Sequence, residues 1–220
     1  MNGRLKILGA FLVVAGLTFM SVGAYTLFQT KAGADSLQAY SQAENVNLTY
    51  NADGHLADRT GSTEESTKIM AMLTDEWKFP VVASDFNPND TLVNTASEYM
   101  YQMATVSYHT LHATVTVILP ADVTAADGTV VLAGTYQFVN DGKYWATFDK
   151  TPVEAAARAL VWTPTAHALI AELGVGTMTA TALQMGLGLA GLAAGLGGTL
   201  ILLGFGLVWV GRGKPLDRLA

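Results

Sequence analysis

The sequence predicts a membrane protein in which two transmembrane α-helices flank a small α+β extracytoplasmic domain with an antiparallel sheet. Three observations lead there. Residues 7–28 form an apolar run, with no charge between Lys6 and Lys31. A second uncharged stretch of 39 residues lies between Glu172 and Arg212. The segment between these runs is polar and turn-rich, and its rhythm changes from helical to alternating. Over the 220 residues, 50 % are hydrophobic and only 14 % charged, a balance unlike that of a soluble domain.

The first run of 22 residues makes a helix of about 33 Å, enough for the ~30 Å hydrocarbon core of a bilayer. The 39-residue stretch would reach about 60 Å as one helix, so only part of it fits in lipid. The span is placed at 185–210, because Thr177, Thr179, Thr181 and Gln184 suit an interfacial segment before it. Folding the stretch back as two short spans would put the chain ends on opposite sides. Arg4 and Lys6 at one end, and Arg212, Lys214 and Arg218 against Asp217 at the other, instead mark both ends as cytoplasmic. The expected order is a cytoplasmic tail (1–6), a first span (7–28), an extracytoplasmic domain (29–184), a second span (185–210) and a second cytoplasmic tail (211–220). Residues 31–172 carry seven basic and 17 acidic residues, a net of −10. Ala32-Gly33-Ala34 before Asp35 also resembles a secretory cleavage site, but the apolar run exceeds a usual h-region of about 7–15 residues, so a retained anchor is expected.

Within the central domain, Ser62-Thr63-Glu64-Glu65 has capping-box spacing ahead of a helix reaching about Trp77, which Pro80 ends. Asn89 or Asp90 is positioned to cap a second helix, along which Leu92, Ala96, Tyr99, Met100 and Met103 recur at helical spacing. Val115, Val117 and Leu119 alternate before Pro120, and residues 129–139 are rich in β-branched and aromatic side chains. Asn140-Asp141-Gly142 followed by Tyr144, Trp145, Ala146, Thr147 and Phe148 reads as a hairpin, giving a sheet of about three strands. Thr151-Pro152-Val153-Glu154 starts a further helix, with Pro164 expected to break it.

The motifs are sparse. Zero cysteines exclude disulfides, thiolate metal sites and a thiol nucleophile. The net charge of −6 speaks against nucleic acid as a partner. Gly186-Leu187-Gly188-Leu189-Ala190-Gly191 matches a dinucleotide fingerprint in letters only, because it lies inside an apolar helix with no strand before it. No nucleophile elbow, zinc-protease pair or phosphate loop occurs, so no catalytic residue and no cofactor is expected. His109 and His112 stand three apart, with Met100 and Met103 one to three turns earlier; imidazole with thioether would suit copper.

The small residues of the spans form clearer patterns. Gly9, Gly16 and Gly23 repeat every seven residues; Gly186, Ala190, Ala194 and Gly198 form a ridge at four-residue spacing, and Gly191, Gly195 and Thr199 form another. Small ridges let helices approach closely in lipid. Two ridges on one span and one on the other exceed what pairing the two spans requires, which points to the transmembrane helices of a larger complex.

Arg4-Leu5-Lys6 before the first span, Leu37-Gln38-Ala39-Tyr40-Ser41-Gln42-Ala43 after it, and residues 189–210 give a plan that resembles small actinobacterial two-span membrane proteins. Many of those carry a ring-opening dioxygenase label. The resemblance covers about a quarter of the chain and implies the two-span plan; residues 60–150 depart from it. The dioxygenase activity does not carry over, because no iron site of two histidines and a carboxylate is evident. The expected role is a non-catalytic auxiliary subunit of a larger bacterial membrane complex, in contact with lipid, with an oxidoreductase such as a respiratory supercomplex or copper monooxygenase as one candidate host. The alternative is an extracytoplasmic copper-handling or ligand-binding membrane protein.

Overall fold

A computed structural model describes residues 2–212. Lys214, Asp217 and Arg218 of the C-terminal tail lie outside the described residues. The chain divides into two units, one formed by its two ends up to Tyr40 and from Ala180, the other by Ser41–Thr179.

The terminal helices are α1 (Asn2–Glu44) and α5 (Pro164–Val210), and both are long and apolar enough to cross a membrane. The expected spans 7–28 and 185–210 lie inside them. At 43 and 47 residues they measure about 64 Å and 70 Å, more than twice the thickness of a hydrocarbon core. The helix that starts at Pro152 ends at Val161, ahead of Pro164 as expected, and Pro164 itself opens α5. Proline lacks the N–H that the first turn leaves unpaired anyway, and Thr163 caps that turn by accepting from the Ala166 N–H at 3.1 Å. Hydroxyls inside the apolar stretches bond back to their own helix, Thr18 to the Val14 carbonyl, Ser21 to that of Leu17 and Thr199 to that of Gly195. No polar hydrogen is thereby left without an acceptor at these positions.

In the first unit α1 and α5 meet antiparallel along a glycine seam. A Cβ on Gly9 would stand 2.6 Å from the Gly204 carbonyl oxygen, and one on Gly16 2.6 Å from that of Gly197. The converse substitutions meet the same backbones, Gly204 against Gly9 at 2.6 Å and Gly197 against Gly16 at 2.7 Å. Gly23 faces Ala190 and Ala194 at 3.0 Å, and Gly186 receives the Thr30 side chain. Both helices therefore contribute at seven-residue spacing, with Ala190, Gly197 and Gly204 opposite Gly23, Gly16 and Gly9. The expected ridge ending at Gly198 is corrected to one ending at Gly197 and Gly204. Four-residue steps turn about 40° per step around a helix and leave the contact face, whereas seven-residue steps drift only about 20°.

The second unit holds short helices and antiparallel ladders. Helix α2 (Thr63–Ala71) starts at Ser62, whose hydroxyl accepts from the Glu65 N–H, and passes into a π-helical turn at Met72–Glu76. Helix α3 (Ala96–Leu111) is capped by Thr95 rather than Asn89 or Asp90, because Thr95 and Glu98 complete a reciprocal capping box. The Glu98 carboxylate accepts from the N–H groups of Asn94 and Thr95 at 3.0 and 2.9 Å. Strands β1 (Thr49–Tyr50) and β2 (Leu56–Ala57) pair, as do β3 (Thr114–Leu119) with β6 (Gly134–Val139) and β4 (Val123–Thr124) with β5 (Val130–Val131). The expected three-stranded sheet is thus three separate two-stranded ladders. In the longest, Val115 faces Phe138 and Val117 faces Tyr136.

Asn140-Asp141-Gly142 does form a turn, with Gly142 at φ +73°, but no strand follows it; Trp145–Thr147 is a 3-10 turn. The reason lies in the buried Asn140 side chain. Its amide donates to the carbonyls of Thr110 and Lys143, while its oxygen accepts from the Lys143 N–H. Trp162 Nε1 donates to the same Lys143 carbonyl at 3.0 Å, so that acceptor is already engaged away from any ladder. Helix α4 (Pro152–Val161) begins at the expected proline, packs on β3 and β6, and places Glu154 against Lys143. Ile69, Leu73, Val93, Ala104, Val117 and Ala157 form the core of this unit.

Candidate functional site

A side-chain cluster assembles where the end of β2, the start of α2 and the last turn of α3 converge. Asp58 follows β2 and folds its own loop: its Oδ1 accepts from the Thr60 N–H at 2.9 Å, the Thr60 hydroxyl at 2.7 Å and the Ser62 N–H at 2.7 Å. Gly61, at φ +87°, supplies the left-handed residue that closes this turn. A regular capping box would send the Glu65 side chain back to the Ser62 N–H. Asp58 already occupies that donor, so the Glu65 carboxylate is left beside Asp58. His109 enters from α3. One ligand-capable atom each from Asp58, Glu65 and His109 lies within 4.8 Å of the others.

The cluster is graded in exposure, from Asp58 at 3 % through half-buried Glu65 to exposed His109. Burial opposes ionisation of Asp58. Hydrogen bonds from the Thr60 hydroxyl and from the Ser62 and Thr60 amides outweigh it and hold the carboxyl down to about 2. The second oxygen, Oδ2, is buried and has no hydrogen-bond partner. Among the described residues no ion pair joins a lysine or arginine to Asp58 or Glu65. A cavity of about 570 Å³ opens beside the cluster, lined by Asp58, Arg59, Tyr101, Thr105 and His109 among others. The Tyr101 hydroxyl is buried there without a partner, and burial pushes its ionisation above the ordinary range. Two carboxylates and one imidazole, with one buried oxygen lacking a donor, can share a proton or hold a cation.

The expected imidazole and thioether set does not come together in this way. His112, the residue that ends α3, has its Nδ1 2.8 Å from the Tyr108 carbonyl and its ring against Tyr108, beside a different cavity. Met103 is half-buried with its Sδ 3.7 Å from where a Cβ on Gly174 would stand. Met100 is half-buried on α3. Asp58 and Glu65 were not singled out in the sequence, although Asp58 four residues before a Ser-x-x-Glu cap, with a Thr and a Gly between, is a legible Asx-turn pattern.

Of the small residues expected at helix contacts, Gly9, Gly16, Gly23, Gly186, Ala190 and Ala194 lie in the α1–α5 seam. Gly191, Gly195 and Gly198 do not: a Cβ on any of them would meet nothing within 4 Å. Gly188 and Gly206 share that openness. The glycine-rich 186–191 segment is continuous helix, so the strand and turn that a dinucleotide fingerprint needs are missing.

Fold and site together define a class: a glycine-seamed pair of helices long and apolar enough to cross a membrane, attached to a small domain with short antiparallel ladders and an Asp–Glu–His cluster. Compared with protein-family models, curated proteins and solved structures, the chain matches none of them.

Proposed function

We propose that this chain spans the membrane twice, with both termini cytoplasmic and the domain between its helices outside, and serves as a non-catalytic auxiliary subunit of a larger membrane complex. The observation that carries the reading is the division of the small residues on α5. One set is consumed by α1, where a methyl group would strike backbone; the other, around Gly191 and Gly195, faces open space. In lipid, apolar burial does not favour helix association, and close backbone approach through small residues does. Leu187, Leu192 and Leu196 flank the open glycines and are exposed, forming knobs beside grooves. The two-span plan of the actinobacterial proteins that the sequence resembles agrees with this reading, as does the excess of acidic residues between the helices. Membrane oxidoreductase assemblies are fitting hosts.

Gentle extraction from native membranes followed by native mass measurement tests the proposal. The chain is expected in an assembly heavier than itself, from which Gly195→Leu releases it without unfolding it. A monomer at every detergent strength, down to the mildest, would reject the subunit role. A terminus labelled by an impermeant reagent on intact cells would reject the topology.

A further inference from the structure

We propose that Asp58, Glu65 and His109 form a binding site for one divalent metal ion of the zinc class. The inference is independent of the subunit role and rests on four features of the cluster. Asp58 Oδ2 is an acceptor sealed from water with no donor to meet it, in a residue only 3 % exposed. Buried polar atoms are nearly always satisfied, so this one calls for a partner that a cation supplies. Three ligand atoms of suitable type already lie within 4.8 Å of one another. Around an ion with bonds of about 2.0–2.2 Å, ligand atoms in a tetrahedral shell sit about 3.4 Å apart, so side-chain rotations of about 1 Å complete the site.

Asp58 is also oriented in advance. Its Oδ1 is fixed by Thr60 and Ser62, which leaves Oδ2 as the ligating oxygen and provides the supporting hydrogen bonds that metal-bound carboxylates need. Exposed His109 lies on the adjoining cavity, which gives an ion its way in and leaves room for a water as fourth ligand. The choice of ion follows from the donors. Two carboxylate oxygens neutralise a divalent charge, one imidazole favours a borderline metal over magnesium or calcium, and the absence of thioether in the set disfavours Cu(I).

The test uses the full chain in detergent, without a polyhistidine tag, stripped with chelator and titrated with Zn²⁺ by calorimetry. One equivalent per chain is expected, together with a rise in melting temperature on adding the metal. Glu65→Gln and His109→Gln should each weaken binding at least about 10-fold. Asp58→Asn keeps an oxygen for the loop and should also weaken it, whereas Asp58→Ala would confound binding with folding. Unchanged melting of the metal-free Glu65→Gln and His109→Gln chains separates loss of ligand from loss of fold. As a second readout, Co²⁺ should give visible absorption in the wild type that His109→Gln abolishes. No stoichiometric Zn²⁺ on folded wild-type protein would overturn the site, leaving the carboxylates sharing a proton. Undiminished binding in both variants, or Cu(I) held in preference to Zn²⁺, would overturn it equally.

Discussion

Gly16→Ala adds one methyl group to the middle of the α1–α5 seam, where the structure leaves it no room. The new Cβ would stand 2.6 Å from the Gly197 carbonyl oxygen, 2.7 Å from the Ile201 Cγ1 and 2.9 Å from the Ile201 nitrogen, against ordinary contacts that begin at 3.4 Å. The helices must part by about 0.8 Å at this rung, the difference between 3.4 and 2.6 Å. Two of the three atoms are backbone and cannot rotate away. Overpacking of this kind costs about 1–3 kcal/mol, and the upper half of that range is expected because Gly9 and Gly23 are lifted with Gly16. Alanine is otherwise the better helix former by about 1 kcal/mol in water, so the measured loss is net of that gain. The chain has no cysteine, so one introduced cysteine per helix, outside the seam, carries a donor and an acceptor dye. Separation of the helices is then followed as loss of energy transfer during titration of mild detergent with SDS. Gly195→Ala is the control, since its Cβ meets nothing within 4 Å. Equal midpoints for Gly16→Ala and Gly195→Ala would refute the seam.

Three further outcomes follow from the second unit. Asn140→Ala removes three hydrogen bonds and leaves the Thr110 carbonyl only the longer bond from the Ala113 N–H at 3.3 Å, so a loss of about 2–4 kcal/mol is expected in thermal or chemical unfolding; a loss below about 0.5 kcal/mol, the level of a neutral surface change, would mean the turn is held by its backbone alone. Burial raises the Glu98 carboxyl above its ordinary 4.5, against the lowering effect of the Asn94 and Thr95 hydrogen bonds. The folded state thus keeps this proton to higher pH than the unfolded chain, and Glu98 lowers stability as pH rises beyond 4.5. Glu98→Gln retains the acceptor, and its melting temperature should decline less than wild type between pH 4.5 and neutrality; parallel declines would contradict the assignment. The hydrogen bond to Glu154 raises the Lys143 ammonium above its ordinary 10.5. That stabilisation is full below 10.5 and lost as pH climbs through the higher folded value, so alkaline melting should fall more steeply in wild type than in Glu154→Gln.

The long-range plan was legible in the sequence because apolar runs and small-residue spacing are local signals. Gly9, Gly16 and Gly23 could be read as a seam from their spacing alone. Their partners Gly197 and Gly204 were obscured, because α5 carries so many glycines that several ridges fit and only the opposing helix selects one. Local capping was legible at Ser62 and Pro152. At Thr95 a stronger reciprocal box with Glu98 displaced the more familiar Asn-Asp signal. The hairpin after Gly142 failed because the turn residues were right while the Lys143 carbonyl was claimed by Asn140 and by Trp162, which is 19 residues away. The Asp58 cluster was hidden for a similar reason. Glu65 and His109 come from different helices, and nothing in their separation of 44 positions along the chain announces that they meet.

The repeat of the seam has a consequence for how the two helices find their alignment. A zipper with identical teeth closes equally well when shifted by one tooth, here about 10.5 Å, setting Gly16 against Ala190 and Gly9 against Gly197. The teeth alone therefore specify the match only modulo seven. What breaks the degeneracy is the non-repeating end, where Thr30 fits over Gly186 and Leu183 lies 2.8 Å from a Cβ position on Gly33. Those residues act as the key that picks one notch, and filling the Thr30 notch with a bulkier side chain at position 186 would let the zipper jump.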